Sequence, residues 1–179
     1  MTRLVDPDVR LSESWCTTVR EFQDAGEAHI HGAGLWNLPD ATWTAADEVA
    51  CAAVVAVLRE HNDTGTPPPE GQVPGALLWI VDGDPEELVG FVSIRFELND
   101  FLLEEGGHIG YSVRPSRRRQ GYAGRALRLS LERLRERGVA EALVTCDDDN
   151  LGSARTIEAA GGVLEDVRHG KRRYWLAIG

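Results

Sequence analysis

Three cysteines, Cys16, Cys51 and Cys146, cannot all pair in a chain of 179 residues. They read as free thiols, and a reducing, cytoplasmic setting is expected. Long hydrophobic runs are also missing. Val49–Leu58 and Gly75–Val81 are too short to cross a bilayer. The first residues carry Arg3, Asp6, Asp8 and Arg10 without an apolar stretch, so no secretory leader is expected. Basic side chains are the scarcer charge, 19 against 29 acidic, for a net −10. That balance disfavours nucleic acid or an anionic membrane as partner. There is no internal repeat, no Gly-Lys pair of a Walker loop and no G-x-G-x-x-G fingerprint after a strand.

What is present fits one globular domain spanning 1–179, with 42% hydrophobic and 27% charged residues. The charge is uneven. Residues 1–110 hold 5 basic and 20 acidic side chains (−15), 111–137 hold 9 arginines and 2 glutamates (+7), and 138–179 come to −2. A basic island in an acidic chain suggests a local anionic ligand, although Arg128, Arg133, Arg135 and Arg137 read as a solvated helix face.

Leu11, Trp15, Val19 and Phe22 are spaced as one apolar helical stripe, and a second helix is predicted over Ala45–Glu60 with Thr44 as its N-cap. These helices occupy residues 1–60. Residues 31–44 and the Pro/Gly-rich 62–75 read as loops. A core follows over 76–178. Strands are predicted at Ala76–Val81, Leu88–Glu97 and Gly106–Arg114, a helix at Ala123–Arg137, and a strand at Glu141–Cys146. A helix at Ser153–Ala160 and strands at Val163–Val167 and Arg173–Ile178 complete it. The order predicts an α/β three-layer fold, with helices on both faces of a mixed, mostly antiparallel sheet.

The informative stretch is Tyr111–Leu127. A strand ends at Arg114, an irregular loop follows, and Gly121-Tyr122-Ala123-Gly124 opens a helix. Amide hydrogens at a helix start lack internal partners and carry the positive end of the dipole. The glycines let a ligand approach the backbone, and Arg117, Arg118 and Arg119 add charge. Such a loop suits a diphosphate.

Arg118-Arg119-Gln120-Gly121-Tyr122-Ala123 resembles the [Q/R]-x-x-G-x-[G/A] loop of the GNAT superfamily of acyl-CoA N-acyltransferases. Asn150-Leu-Gly-Ser153, followed by Gly161-Gly162, resembles that family's N-x-x-[AS]…G-[FG] segment. GGHIGYSVRPS, TCDDDN and IEAAGG are similar to a branch of small bacterial predicted acetyltransferases. The resemblance implies a GNAT-like fold and acetyl-CoA as cosubstrate, held where two core strands splay apart. By that analogy Ser112 and Val113 pair with the pantetheine amides. Arg118, Arg119, Gln120, Gly121, Tyr122, Ala123 and Gly124 hold the pyrophosphate, and Asn150 and Ser153 approach the sulfur end. It also implies direct attack by an amine and a possible homodimer.

Many family members carry a tyrosine acid seven residues after the asparagine; here that position is Ile157. Tyr174 is the candidate substitute, against core packing. His108, with its near-neutral pKa, is the candidate base, and Glu97, on one face with Arg95, could bind a cation or relay a proton. Cys146 reads as a buried thiol and Asp147–Asp149 as a solvated loop. His29 and His31 could lie on one side of a strand, but no metal site is expected. Trp15, Trp36, Trp43 and Phe22 either line an acceptor pocket or pack in the core. The acidic first half suggests a small cationic amine as acceptor. A protein N-terminus or lysine, or a non-catalytic CoA sensor, are the alternatives.

Overall fold

The computed structural model describes residues 1–27, 29–62, 65 and 67–179. Strand β1 (Arg3–Val5) precedes helices α1 (Ser12–Asp24), α2 (Asp40–Trp43) and α3 (Glu48–Asn62). Strands β2 (Gly75–Asp82), β3 (Glu87–Arg95) and β4 (Ile109–Val113) follow, then α4 (Tyr122–Glu136), β5 (Glu141–Asp147), α5 (Leu151–Ala159), β6 (Val163–Arg168) and β7 (Lys171–Ala177). The sheet is in two parts, ordered β1-β2-β3-β4 and β5-β7-β6, and neighbouring strands within each part run antiparallel.

Strand alternation builds the layers. Leu77, Trp79, Val81 and Phe91 enter one core with Trp15, Val19 and Phe22 of α1 and Val54 and Leu58 of α3. Leu78, Ile80, Val92 and Ile94 enter a second core with Ala126, Leu127 and Leu134 of α4 and Ile157 of α5. Helices therefore cover both faces, as the pattern predicted, and all three cysteines are buried and free.

The second predicted helix starts three residues later than expected. Ala46 takes φ +49, which a helix cannot continue through, and Asp47 Oδ1 accepts the Ala50 N–H at 2.8 Å. Asp47, not Thr44, is the cap. The predicted strand from Gly106 shortens to Ile109. Leu102–Gly106 form a π-helical turn, and Gly107 leaves it at φ +64. β3 stops at Arg95, so Glu97 lies in the bend beyond it, exposed.

Candidate active site

The two half-sheets touch at one end and part at the other. At the closed end the His108 N–H donates to Leu143 O at 2.7 Å, and the Leu143 N–H donates to His108 Nδ1 at 2.9 Å. The imidazole replaces a backbone acceptor and is buried. Burial lowers its pKa, reinforced by the charge of Arg95.

Parity fixes what the open end presents. Arg114 N–H donates to Val89 O and Arg95 N–H to His108 O, so even-numbered β4 residues turn their backbone groups toward β3. Tyr111 and Val113 turn theirs toward the split. The Val113 carbonyl on that side accepts from Arg118 Nε at 3.0 Å. The Ser112 backbone faces β3 instead, and its Oγ is buried without a partner. On β5, Asp148 N–H to Gly170 O and Ile178 N–H to Ala140 O leave the odd residues, Leu143, Thr145 and Asp147, facing the split. An extended ligand with amides can add to such an edge.

Beyond Val113 the chain enters α4 through residues 114–121. Arg119 has φ +62 and Gly121 φ +80, and no side chain caps the helix. The amide hydrogens of Tyr122, Ala123 and Gly124 are left for an external acceptor. A Cβ on Gly124 would come no closer than 4.0 Å to Arg128 or Thr156, so space remains over the first turn. Arg118 is partly committed, to Glu27 at 2.8 Å and over the Phe22 ring at 5.7 Å. Gln120 Nε2 makes a 3.4 Å bond to Ser116 O, whereas Arg119 is exposed with no partner among the described residues. The Tyr122 ring turns inward, its hydroxyl donating to Asp82 Oδ2 at 3.2 Å. Uncapped donors, positive-φ backbone and a free guanidinium suit a diphosphate.

A cavity of about 470 Å³ opens into the split. Asn150 and Ser153 line one side. Asn150 caps α5, its Oδ1 accepting the Ser153 N–H at 3.0 Å, and Ser153 Oγ lies 2.8 Å from the Tyr111 hydroxyl. Burial raises the Tyr111 pKa to about 12, against the lowering effect of the Ser153 bond. Cys146, its pKa also raised by burial, lies on the same wall. Across the cavity stand His29, His31, His61, Trp36, Arg95 and Glu105. The His29 and His31 rings meet edge to face at 4.6 Å. Partial burial lowers the pKa of His31 and of His61, helped by His29 for the former and by Arg95 for both. No group of three metal-ligating side chains occurs among the described residues.

His108, Glu97 and Tyr174 do not line this cavity. Tyr174 is fully buried and donates to Glu158 Oε1 at 3.0 Å, pinning β7 to α5. Of the four aromatics weighed for the pocket, Trp15, Trp43 and Phe22 are core, and Trp36 is on the cavity wall. The sequence reading missed Tyr111. Its signal was strand parity: a residue next to Ser112 faces the split when Ser112 does not. It also missed the cavity-facing role of Arg95, and the acidic surplus does not reach the cavity. Within residues 1–110 Glu105 is the one carboxylate on the described lining.

The model of the Acetyltransferase (GNAT) family matches residues 33–161. No curated protein matches the sequence. Among solved structures, the Microcin C7 self immunity acetyltransferase MccE, in complex with acetyl-CoA and AMP, aligns at TM-score 0.66 and 16% identity, over 98% of this chain and 92% of that one. Mycobacterium smegmatis RimJ, in complex with CoA-disulfide, aligns at 0.67 and 18%, over 98% and 81%. The Salmonella typhimurium yncA acetyltransferase, with its cofactor acetyl-CoA, aligns at 0.59 and 14%, over 99% and 94%. At these identities the likeness is one of fold.

Proposed function

Because this chain belongs to the acetyltransferase (GNAT) family and is an acetyl-CoA-dependent N-acetyltransferase, we propose that it acetylates the primary amine of a small acceptor held in the 470 Å³ cavity. The observation that carries the reading is the continuity of three features. The uncapped start of α4 leads to the unpaired edge of β4, and that edge leads to the hydroxyl pair Tyr111–Ser153.

The amide hydrogens of residues 122–124 and Arg119 would hold the diphosphate, with Arg118, Gln120 and Gly121 shaping the turn. Val113 and Tyr111 would meet the pantetheine amides along the edge. Bound there, acetyl-CoA supplies a thioester carbonyl that an amine attacks directly. The C–N bond forms, the C–S bond breaks, and the sulfur leaves with the electron pair. Tyr111 stays protonated near neutral pH, so its hydroxyl can donate a hydrogen bond to that sulfur. It takes the part that Ile157, buried in the second core, cannot. His31 and His61, neutral because of their lowered pKa values, are available to receive the ammonium proton. His108 is a positioning residue at the closed end.

Trp36 and residues 71–73 wall the cavity, which supports a small acceptor over a protein chain. RimJ and RimL share the fold, and RimL is a ribosomal L7/L12 alpha-N-protein acetyltransferase, so peptides with free N-termini belong in the test. The experiment is thiol release from acetyl-CoA across a panel of small amines and such peptides. Turnover of small amines supports the proposal. Turnover of peptides alone, or of nothing, overturns it.

A further inference from the structure

Arg95 is the one arginine that lines the cavity. Its guanidinium sits at the end of β3, partly buried, against Gly110. A Cβ built on Gly110 would stand 3.5 Å from Nη1 and 3.7 Å from Nη2. Nη1 donates weakly to Gly106 O and Gly107 O, at 3.2 and 3.3 Å. Nε and Nη2 have no partner, and no carboxylate forms an ion pair with Arg95 among the described residues. The guanidinium carbon lies 6.0 Å from the centre of the Trp36 ring, a contact that does not neutralise charge. Burial alone pulls its pKa down to about 10, and its charge in turn opposes protonation of His31, His61 and His108.

A desolvated arginine is costly unless it is paired and fully hydrogen-bonded. Two other arginines of the interior meet that condition. Arg114 has Glu21, and Arg173 has Glu165, Asp166 and two carbonyls of the π-helical turn. The second cation on the cavity lining, Lys171, has Asp147. Among the described residues, Arg95 is the arginine on the cavity lining, and its Nε and Nη2 are left without partners.

We infer that the acceptor amine also carries an oxyanion, a carboxylate or phosphate, and that Arg95 binds it. This rests on the acetyl-transfer reading and replaces the cationic acceptor suggested by the acidic composition. The planar fork matches an oxyanion in bidentate geometry. Trp36 beside it supplies an apolar wall for the spacer between the two groups. Glu105, on the same lining and without an ion-pair partner among the described residues, is placed to attract the ammonium end.

The test is thiol release with matched acceptors: short amino acids, their methyl esters, and the aminoalkylphosphonates of equal length. Wild type should favour the anionic member of a pair at least tenfold in kcat/KM, mainly through KM. Preference for carboxylate or for phosphonate tells which oxyanion the site takes. Arg95→Gln should abolish the preference by raising KM for the anionic member at least tenfold relative to the ester. Wild type that uses esters as well as acids overturns the inference while acetyl transfer stands. Turnover of no amine overturns both. The wild-type comparison does not depend on whether the variant folds. An Arg95→Gln protein that slows acid and ester equally reduces Arg95 to a structural pin and also overturns the inference.

Discussion

Glu21 ties α1 to the loop that leads into α4, and replacing it with glutamine separates charge from shape. Oε1 accepts from Arg114 Nε and Nη2, each at 2.7 Å, and from Ser116 Oγ at 3.0 Å; Oε2 accepts the Ser116 N–H at 3.0 Å. Burial raises the carboxyl pKa, but the bonds from Arg114 and Ser116 outweigh it and bring the pKa down from 4.5 to about 2. A drop of that size corresponds to about 3 kcal/mol. The side chain remains 24% exposed, and screening brings the expected contribution to about 2 kcal/mol. The unfolded chain takes up a proton near pH 4.5 and the folded one only near 2. The stabilisation is therefore complete above pH 4.5 and is lost as pH falls toward 2. Urea unfolding at pH 7 should find Glu21→Gln less stable by about 2 kcal/mol. Between pH 5 and 3.5 the wild type should lose stability faster than the variant, by up to about 1.4 kcal/mol per pH unit, so that the two converge. A difference that stays constant over that range refutes the reasoning, because the loss at pH 7 would then come from geometry and not from charge.

Three further outcomes are expected. Arg119→Glu and Gly121→Asp each place negative charge at the diphosphate site, and Gly121→Asp also strains a φ of +80; calorimetry should show acetyl-CoA affinity reduced about tenfold or more in each. Tyr111→Phe should lower kcat by about tenfold while leaving acetyl-CoA affinity within about twofold, since the hydroxyl acts only as the sulfur departs; single-turnover kinetics would read this. His108→Ala leaves the Leu143 N–H buried without an acceptor and should cost about 1–3 kcal/mol in denaturant unfolding; a collapse of turnover at unchanged stability would instead restore it as the base.

The layered fold was legible because its signals are local and repeated. The stripe of Trp15, Val19 and Phe22 and the alternation along β2 and β3 each follow from one burial period. The uncapped turn before α4 was legible because glycine and arginine at a strand-to-helix junction carry their own physics. What escaped depended on contacts distant in sequence. Three residues of β1 have no period to read and acquire their role from pairing with β2. The place of His108 follows from Leu143, 35 residues away. The local signal of the second helix was sound, but its start depended on one backbone angle at Ala46. The acidic surplus says little about the cavity, because Glu21, Glu27 and Glu87 pair with Arg114, Arg118 and Arg117.

The split in the sheet supports the proposal that β4 supplies the proton-donating hydroxyl. A sheet that opens at one end needs a strong closure at the other, and the closure here uses a side chain. His108 Nδ1 does the work of a strand carbonyl, and so the imidazole is fixed where it cannot reach the reacting atoms through that nitrogen. Arg173 holds the adjoining wall by reaching from β7 to the carbonyls of Leu103 and Glu104. With the closed end fixed, opening the split exposes the odd positions of β4 and β5 together. Tyr111 is the odd β4 residue whose side chain carries an ionisable hydroxyl, and its partner Ser153 stands on the first turn of α5. Ile157, one turn further on, packs into the second core against a residue without a Cβ, since a methyl at Gly162 would meet the Ile157 side chain at 2.6 Å. Position 157 is therefore committed to packing. A tyrosine placed there without a compensating cavity should destabilise the protein and not add a second proton donor.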